Sequence, residues 1–356
     1  MELPPITESA AMTREVEVVG VDPGKNWFHV IGMDRVGRIV LRRRLNRTQL
    51  GELAATLPAC RVAMESCPAS QYWGRRFVAQ GHEVRIIPAQ FVKPFVKSNK
   101  SDYDDAEAIA EASTRDTTRC VPLKNAEQLD LQATHRVRQR FVIERTAAVN
   151  QMRALLLENG LAVPIGRALF ARRLPDILAD AENVLSIRVS ALLQRLRARW
   201  LALDVEITEM TALLMQHAEG SELCRRAITV PGVGPIVSTA LIATVGNAHA
   251  FRRGRDMAAW LGLVPQQHST AGRTTLGRIS KRGNAYLRQL FIQGAQALYT
   301  HMKREKSRMG QWLRDLELRA HRHVVVVALA NKIVRICWKV LTAGEDYRPF
   351  PAQTAP

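Results

Sequence analysis

The stretch Val18-Val19-Gly20-Val21-Asp22-Pro23-Gly24-Lys25 decides the fold of the first third of the chain. Its Val-rich beginning is typical of a buried strand, and Asp22 stands where that strand ends. A second apolar run, Arg61-Val62-Ala63-Met64, leads into Glu65 in the same way. Strand ends can bring together side chains that are far apart in sequence, so the two acids are candidates for one site.

Strands and helices alternate around these two runs. Besides the strands at 16–21 and 61–64, the patterning predicts strands at 27–33, 38–45 and 83–88 and helices at 48–57 and 70–80. With a helix expected from residue 102, the order is β-β-β-α-β-α-β-α, which indicates an α/β domain. The ribonuclease-H-like fold has the same order of elements.

The chain becomes helical after residue 125. Long helices are predicted at 126–159 and 182–217, and the segment 161–178, which holds two prolines, is predicted to be a hinge. Two long helices in succession suggest an antiparallel hairpin. The apolar stripe predicted along the second helix either packs inside this hairpin or contacts another subunit. Its members are Leu185, Val189, Leu192, Leu196, Leu203, Ile207, Met210 and Leu214.

These patterns predict how the chain is divided. A disordered leader at 1–14 precedes an α/β domain at 15–125, and a helical linker follows at 126–220. The C-terminal domain at 221–345 is expected to be mostly helical, with a polar and basic loop at 262–283. A Pro-rich tail occupies 346–356.

The composition limits the class of partner. Lys and Arg number 51 against 33 Asp and Glu, which gives a net charge of +18. Such a surplus favours a polyanion, although a basic surface can also serve solubility alone. No apolar run approaches the roughly 18 residues that cross a membrane, and the N-terminus lacks a signal-peptide pattern. Five scattered cysteines without a C-x-x-C pair predict a reducing, cytoplasmic location and argue against zinc.

Two further acids open the helix predicted from residue 102. Asp102 and Asp105 are three residues apart, so they share one helix face, where two like charges cost stability unless a cation offsets them. Mg²⁺ prefers carboxylate oxygens, and two such ions can clamp the attacking and leaving oxygens of a phosphodiester. Asp104 should face elsewhere. The alternative is that all three acids simply favour the positive end of the helix.

Several motifs together resemble the IS110 family of transposases, in order, from about residue 16 to 345. The N-terminal part of the resemblance is carried by 21–30, beginning Val21-Asp22-Pro23-Gly24-Lys25, by Ala63-Met64-Glu65-Ser66-Cys67 and by 88–108. The C-terminal part is carried by Val230-Pro231-Gly232-Val233-Gly234-Pro235, by 259–270 and by 277–284.

The resemblance implies a ribonuclease-H/RuvC-like domain with an Asp-Glu-Asp-Asp site, a coiled-coil linker and a C-terminal transposase domain with a nucleophilic serine. Asp22, Glu65, Asp102 and Asp105 take the four acidic positions, with Mg²⁺ as the expected ion and Mn²⁺ as the alternative. This chain reads Asp-Tyr-Asp-Asp where the family usually has Asp-Ala-Ala-Asp. Asp104 is therefore a rival for the last position, although helical geometry favours Asp105.

Ser269 is the serine that the resemblance favours as nucleophile. It lies in the polar loop, where an exposed hydroxyl near cations suits attack on a phosphate. Ser280 is the runner-up, and a plain turn role for Ser269 is the alternative. His268 could accept a proton, but adjacent side chains usually diverge, so a structural role is preferred for it.

Basic and glycine-rich segments are the candidates for nucleic-acid contact. Lys93, Lys97 and Lys100 alternate with two phenylalanines that either stack on bases or belong to the core. Gly232 and Gly234 lie in a stretch that resembles a helix-hairpin-helix turn, which would bind phosphate without reading sequence, or forms a tight helix–helix turn. The remaining candidates follow Ser269 and are Arg273, Arg278, Lys281 and Arg282.

The predicted function is therefore that of an insertion-sequence transposase. It would cut and exchange donor and target DNA with Mg²⁺, guided by an element-encoded RNA, through a covalent serine–DNA intermediate and as a dimer or tetramer. Two alternatives remain at this point. One is a RuvC-like Holliday-junction endonuclease that uses metal-activated water, and the other is a non-catalytic nucleic-acid-binding derivative of a transposase.

Overall fold

The computed structural model describes residues 16–97, 101–180, 182 and 184–349. The predicted leader at 1–14 lies outside these residues, as does most of the predicted tail. The described residues form two compact units that divide between Asn125 and Ala126. Of the predicted domain boundaries, the one at 125 coincides with this division, and the one at 220 lies inside the second unit.

The first unit is built on a five-stranded mixed sheet with the strand order β3-β2-β1-β4-β5, which confirms the predicted α/β class. β1, β2 and β3 are antiparallel neighbours, whereas β4 and β5 run parallel to β1. The strands are β1 (Val18–Pro23), β2 (Trp27–Met33), β3 (Ile39–Asn46), β4 (Arg61–Glu65) and β5 (Glu83–Ile87). The helices are α1 (Arg47–Thr56), α2 (Ser70–Ala79), α3 (Ala89–Val92) and α4 (Asp102–Thr114).

Successive side chains of β1 pack into clusters on opposite faces of this sheet. Val19 and Val21 point into a core that includes residues of α1 and α2, such as Leu50 and Trp73. Val18, on the opposite face, packs in a cluster with residues of α4. Because side chains alternate along a strand, Asp22 belongs to the face that α4 covers.

Gly20 allows α4 to lie directly on the sheet. A Cβ atom at this position would stand 2.1 Å from the carbonyl oxygen of Ala106 and 2.7 Å from the backbone nitrogen of Ala110. No side chain fits that space, so glycine is what permits the close approach of helix and strand. This contact fixes the start of α4 near the end of β1.

The second unit contains nine α-helices and one two-stranded sheet within the described residues. Its helices are α5 (Ala126–Glu158), α6 (Arg167–Ala179), α7 (Ile187–Gly220), α8 (Glu222–Ile228), α9 (Pro235–Val245), α10 (Gly254–Trp260), α11 (Ala285–His301), α12 (Arg308–Glu317) and α13 (Arg322–Ala343). The strands are β6 (Pro265–Thr270) and β7 (Arg273–Ile279).

The two long helices α5 and α7 pack against each other as an antiparallel pair, as predicted. An ion pair joins Arg145 to Asp204 at 2.8 Å, and Nε of Arg138 donates to the Thr211 hydroxyl at 2.7 Å. The apolar stripe on α7 differs in part from the prediction. Leu203, Ile207 and Leu214 are buried, but Leu192 is 51% exposed and Leu193 takes its place in the core.

The predicted hinge at 161–178 is wrong for most of its length, because α6 occupies 167–179. Pro175 lies inside this helix. Proline removes one helical hydrogen bond and normally costs helix stability. Here the burial of Phe170 and Leu174 in a cluster that includes Met152 and Trp200 compensates for that loss.

A second core holds the C-terminal helices together. It includes Leu241, Phe291, Leu329 and Ile333, which are all buried. The loop predicted at 262–283 is instead largely the β6–β7 hairpin, so this prediction is wrong in detail. The backbone at Ala271 and Gly272 has φ values of 49° and 78°, and two such residues in succession close a tight two-residue hairpin turn.

Among the residues that the structure describes, no helix combines the length and the apolar character that crossing a membrane requires.

Candidate active site

The carboxyl ends of β1 and β4 carry the first two predicted acids. β1 and β4 are parallel, with Val21 beside Met64, so Asp22 and Glu65 follow at the same edge of the sheet. Ala63 packs in a cluster with residues of α4, and Glu65, two residues on, lies on the same face. Both carboxylates are half-buried.

Helix α4 brings the other two acids of the quartet to this edge. Ala106 and Ala110 lie against Gly20, and Asp102 stands one turn before Ala106 on the same side of the helix. Asp105 is half-buried, whereas the Asp102 side chain is 60% exposed. The quartet is thus assembled from two strand ends and one helix start.

Charge and burial act together on Glu65. Burial, followed by the nearby charge of Asp105, raises the pKa of the Glu65 carboxyl above its usual range. Asp105 is therefore the acid of α4 whose charge reaches Glu65. Asp104 is half-buried and takes part in an interaction of its own.

His29 is a member of the site that the sequence patterns did not single out. One ligand atom each of Asp22, His29 and Asp102 lies within 4.8 Å of the others. His29 is the direct cross-strand partner of Asp22 in the β1–β2 hairpin. The short turn in Asp22-Pro23-Gly24-Lys25-Asn26-Trp27-Phe28-His29 could have indicated this pairing, because directly opposed residues share a face.

The donor set fits the predicted divalent metal. Carboxylate oxygens are the ligands that Mg²⁺ and Mn²⁺ prefer, and imidazole is a common ligand of first-row transition ions. The half-buried carboxylates of Glu65 and Asp105, whose charges act on each other, are also an arrangement that a cation stabilises.

Ser269, the predicted nucleophile, lies on the exposed β6–β7 hairpin. Its Oγ accepts a hydrogen bond from Nε2 of Gln267 at 3.0 Å and lies 3.1 Å from the hydroxyl oxygen of Thr274, its cross-strand partner. Neither partner is a base at neutral pH. Every residue of β6 is exposed, so the hydroxyl is open to an approaching phosphate.

His268 and Ser280 lie apart from the Ser269 hydroxyl. His268 pairs with Thr275 across the hairpin, and the alternation of a strand turns it to the face opposite Ser269. Ser280 follows β7 and is half-buried, and its backbone N–H donates to Val264. Its Oγ accepts from the backbone of Arg282 at the long distance of 3.5 Å.

The three lysines predicted to contact nucleic acid do not share one environment. Lys93 is exposed, Lys100 lies outside the described residues, and Lys97 forms ion pairs at 2.6 Å with both Glu107 and Glu111. These two carboxylates raise the pKa of Lys97 and offset its charge. The accompanying Phe91 and Phe95 pack partly buried against α4 rather than standing free.

The glycines of the predicted helix-hairpin-helix turn have different surroundings. Gly232 has a φ of 86°, and a Cβ there would stand 3.1 Å from the carbonyl oxygen of Gly294. Its backbone is therefore packed against α11. Gly234 precedes α9, and a Cβ there would project into open space. The four basic residues predicted after Ser269 are all exposed and are Arg273, Arg278, Lys281 and Arg282.

Comparison with known proteins decides the family. A family profile described as "Transposase", of the DEDD type of IS110, matches residues 19–159, and the profile described as "Transposase IS116/IS110/IS902 family" matches residues 224–310. The "Transposase for insertion sequence element IS1328" of Yersinia enterocolitica is 40% identical over 92% of this chain and 98% of its own length. The chain belongs to the IS116/IS110/IS902 family of transposases.

Two further relatives of this transposase also match it over more than nine tenths of both chains. The "Probable family 20 transposase" of Pseudomonas aeruginosa is 44% identical over 93% of this chain and 98% of its own length. The "Transposase for insertion sequence element IS1111A" of Coxiella burnetii is 40% identical over 94% of this chain and 92% of its own length. The family resemblance seen in the sequence is therefore confirmed. The protein is an enzyme that acts on DNA in the transposition of an insertion sequence.

Proposed function

We propose that this transposase cuts and exchanges DNA strands with Mg²⁺ at the acidic quartet and with a covalent serine–DNA link at Ser269. The observation that carries the proposal is the convergence of Asp22, Glu65 and the start of α4 at one edge of the sheet. The strand order β3-β2-β1-β4-β5, with three antiparallel strands beside two parallel ones, supports a ribonuclease-H/RuvC-like fold for this domain.

The four carboxylates would hold the metal. When bound, a divalent ion supplies positive charge that stabilises the oxygens of a phosphodiester during its displacement. Asp22 and Glu65, on strands, are the rigid members, and Asp105 shares their half-buried setting. Asp102 is the most accessible and is therefore the member best placed to adjust when DNA arrives. Mn²⁺ is the alternative ion.

The serine step conserves the energy of the phosphodiester. The Ser269 oxygen attacks phosphorus, its proton passes to water, and a new oxygen–phosphorus bond forms while the bond to the leaving sugar oxygen breaks. The leaving oxygen takes up a proton. In the reverse sense, a sugar hydroxyl of another strand displaces the serine and reseals the backbone. Hydrolysis by water alone would leave no such ester for rejoining.

Guidance by an element-encoded RNA and assembly into a dimer or tetramer complete the proposal. The net charge of +18 supports binding to a polyanion, and the family resemblance supports an RNA that pairs with donor and target DNA. Exposed apolar side chains along α7, among them Leu201, Val205 and Leu213, support contact with another subunit. The proposed domains are 15–125, 126–220 and 221–345.

A denaturing gel of the protein with labelled DNA tests the nucleophile. The unmodified enzyme should form a covalent adduct that survives denaturation, and Ser269→Ala should form none while still folding and binding RNA. Ser280→Ala is the matched control and should keep the adduct. An adduct that persists in Ser269→Ala would reject this serine, and cleavage without any adduct would favour the water-activating endonuclease.

Binding measurements test the guide. Affinity should fall steeply with salt, each neutralised duplex phosphate contributing about 0.9 to the slope of log K against log salt. The RNA of the element should bind more tightly than an unrelated RNA of the same length. Equal affinities would leave only general attraction and would contradict guidance.

A further inference from the structure

His29 stands at the acidic edge beside the four carboxylates, and the proposed function gives it no role. Its Nδ1 lies 3.5 Å from Oδ2 of Asp102, and its side chain is only 14% exposed. Its ring makes an edge-on contact with Tyr103, with 4.8 Å between ring centres. Arg42 lies over the same tyrosine, with its guanidinium carbon 4.2 Å from the ring centre. The imidazole is therefore held in place beside Asp22 and Asp102.

We propose that His29 is a direct nitrogen ligand of the metal held between Asp22 and Asp102, and that it makes this site bind Mn²⁺ in preference to Mg²⁺. The inference rests on the proposed function, because it adds a ligand to the site proposed there. It differs in chemistry, since the four-carboxylate site consists of oxygen donors alone.

The spacing of the donor atoms fits two ligands of one ion. A hydrogen bond between an imidazole N–H and a carboxylate is usually about 2.7–3.2 Å long, and the 3.5 Å from His29 to Asp102 exceeds this range. Two ligands each about 2.1 Å from one metal, at right angles or slightly wider, stand roughly 3.0–3.5 Å apart. The third donor, on Asp22, lies within 4.8 Å of both.

The backbone holds these donors in register. Asp22 and His29 are paired across the β1–β2 hairpin, so their Cβ atoms are close and project from the same face. Asp102 reaches the same face because Gly20 admits α4 to the sheet. Each donor thus comes from a different element, with Asp22 and His29 held by the paired strands and Asp102 as the more exposed member.

The identity of the donor determines the preference among metals. Mg²⁺ is a hard ion that favours oxygen ligands and keeps several of its waters. First-row transition ions accept an imidazole nitrogen more readily. One nitrogen among carboxylates should therefore raise the affinity for Mn²⁺ more than the affinity for Mg²⁺.

Pulsed electron paramagnetic resonance of the full chain with Mn²⁺ alone tests this assignment. A nitrogen bonded to Mn²⁺ gives a ¹⁴N modulation, which should appear in the unmodified protein and vanish in His29→Gln. His249→Gln removes an exposed imidazole in the other unit and should leave the modulation unchanged. A bound Mn²⁺ without ¹⁴N modulation, or modulation that persists in His29→Gln, would overturn the proposal.

Metal titration separates this inference from the proposed function. In His29→Gln the Kd for Mn²⁺ should rise by about tenfold or more while that for Mg²⁺ changes by less than about threefold. His29→Asp should bind metal tightly again, with the preference shifted to Mg²⁺. This second variant keeps the test valid if His29→Gln folds poorly. Equal losses for both ions would reject the preference. Metal binding that is unaffected by Asp22→Asn would instead reject the quartet itself.

Discussion

The acidic edge of the five-stranded sheet and the β6–β7 hairpin carry the two halves of the proposed chemistry, and they are built in opposite ways. Asp22, Glu65 and Asp105 are half-buried at the ends of elements whose other residues form a core. Ser269 stands on a hairpin whose residues, apart from Ile279, are all exposed. The carboxylates are thus fixed before any ligand arrives, whereas the serine depends on cross-strand pairing and on the turn.

The largest expected effect is a loss of strand cleavage when a carboxylate of the acidic edge is removed. Asp22→Ala, Glu65→Ala or Asp105→Ala should each lower strand cleavage by about a thousandfold, because a lost metal contact removes several kcal/mol of transition-state stabilisation. Nucleic-acid binding should remain. Asp104→Ala is the matched control on the same helix and should be much milder. A dead Asp104→Ala with an active Asp105→Ala, measured with labelled DNA, would reverse the assignment.

A pH experiment tests a buried histidine in the second unit, the unit that also contains the β6–β7 hairpin. His135 of α5 is buried, with its Nδ1 3.0 Å from the Tyr286 hydroxyl and its Nε2 3.0 Å from the Thr239 hydroxyl. Burial, with a smaller contribution from Arg138, lowers the pKa of His135 from 6.5 to about 4. The unfolded chain therefore takes up the proton first as pH falls.

The resulting stability is complete above pH 6.5 and is lost as the pH drops toward 4. As the pH falls from 7 to 5, His135 should lower the free energy of unfolding by about 2 kcal/mol. Urea unfolding of the unmodified protein and of His135→Gln at both pH values measures the difference. His135→Gln should be less stable than the unmodified protein at pH 7, but its free energy of unfolding should fall less between pH 7 and pH 5. An equal fall in both proteins would contradict a neutral buried His135.

Glycines in the two regions offer a direct comparison. Gly20→Ala should destabilise the protein by about 1–3 kcal/mol and lower cleavage, because the new methyl group displaces α4 and its acids. Gly277→Ala on the hairpin meets Gln266 at an ordinary 3.6 Å and should change stability by less than about 0.5 kcal/mol. Thermal unfolding and a cleavage assay follow both. An undisturbed Gly20→Ala would mean that α4 is not held closely against β1.

The smallest effect is expected at Leu276, which is 64% exposed on the hairpin. Leu276→Thr keeps a good strand former and removes little buried area, so stability should change by less than about 0.5 kcal/mol. Amide hydrogen exchange should be faster in β6 and β7 than in β1 and β4, in both proteins. Strong protection of the hairpin, or a large loss of stability in the variant, would show that another surface covers it.

Sequence patterning is sufficient where burial imposes a pattern on the chain. The strands of the first unit are predictable because both faces of runs such as Val18-Val19-Gly20-Val21 are covered. The acids at their ends follow from the same reasoning. By contrast, α6 is not predicted because Pro175 argues against a helix, and only the burial of Phe170 and Leu174 overrides it.

Features that depend on three-dimensional neighbours are not predictable in the same way. The β6–β7 hairpin has no buried face, so its residues show no apolar alternation. His29 joins the site through its register opposite Asp22, which depends on the length of the turn. Ser269 is chosen from the family resemblance and not from its pattern, and its role stays a prediction.

In the proposed mechanism, the acidic edge also makes DNA cleavage depend on the completeness of the fold. A fragment that ends at residue 97 would contain Asp22, His29 and Glu65 but neither Asp102 nor Asp105. During synthesis the site is therefore missing until α4 has left the ribosome and has settled against Gly20. In the proposed mechanism, a chain still being made, or one that has lost α4 to a protease, would be unable to cut DNA. Uptake of the proposed metal would therefore measure the correctly folded fraction, since only the native arrangement gathers the donors.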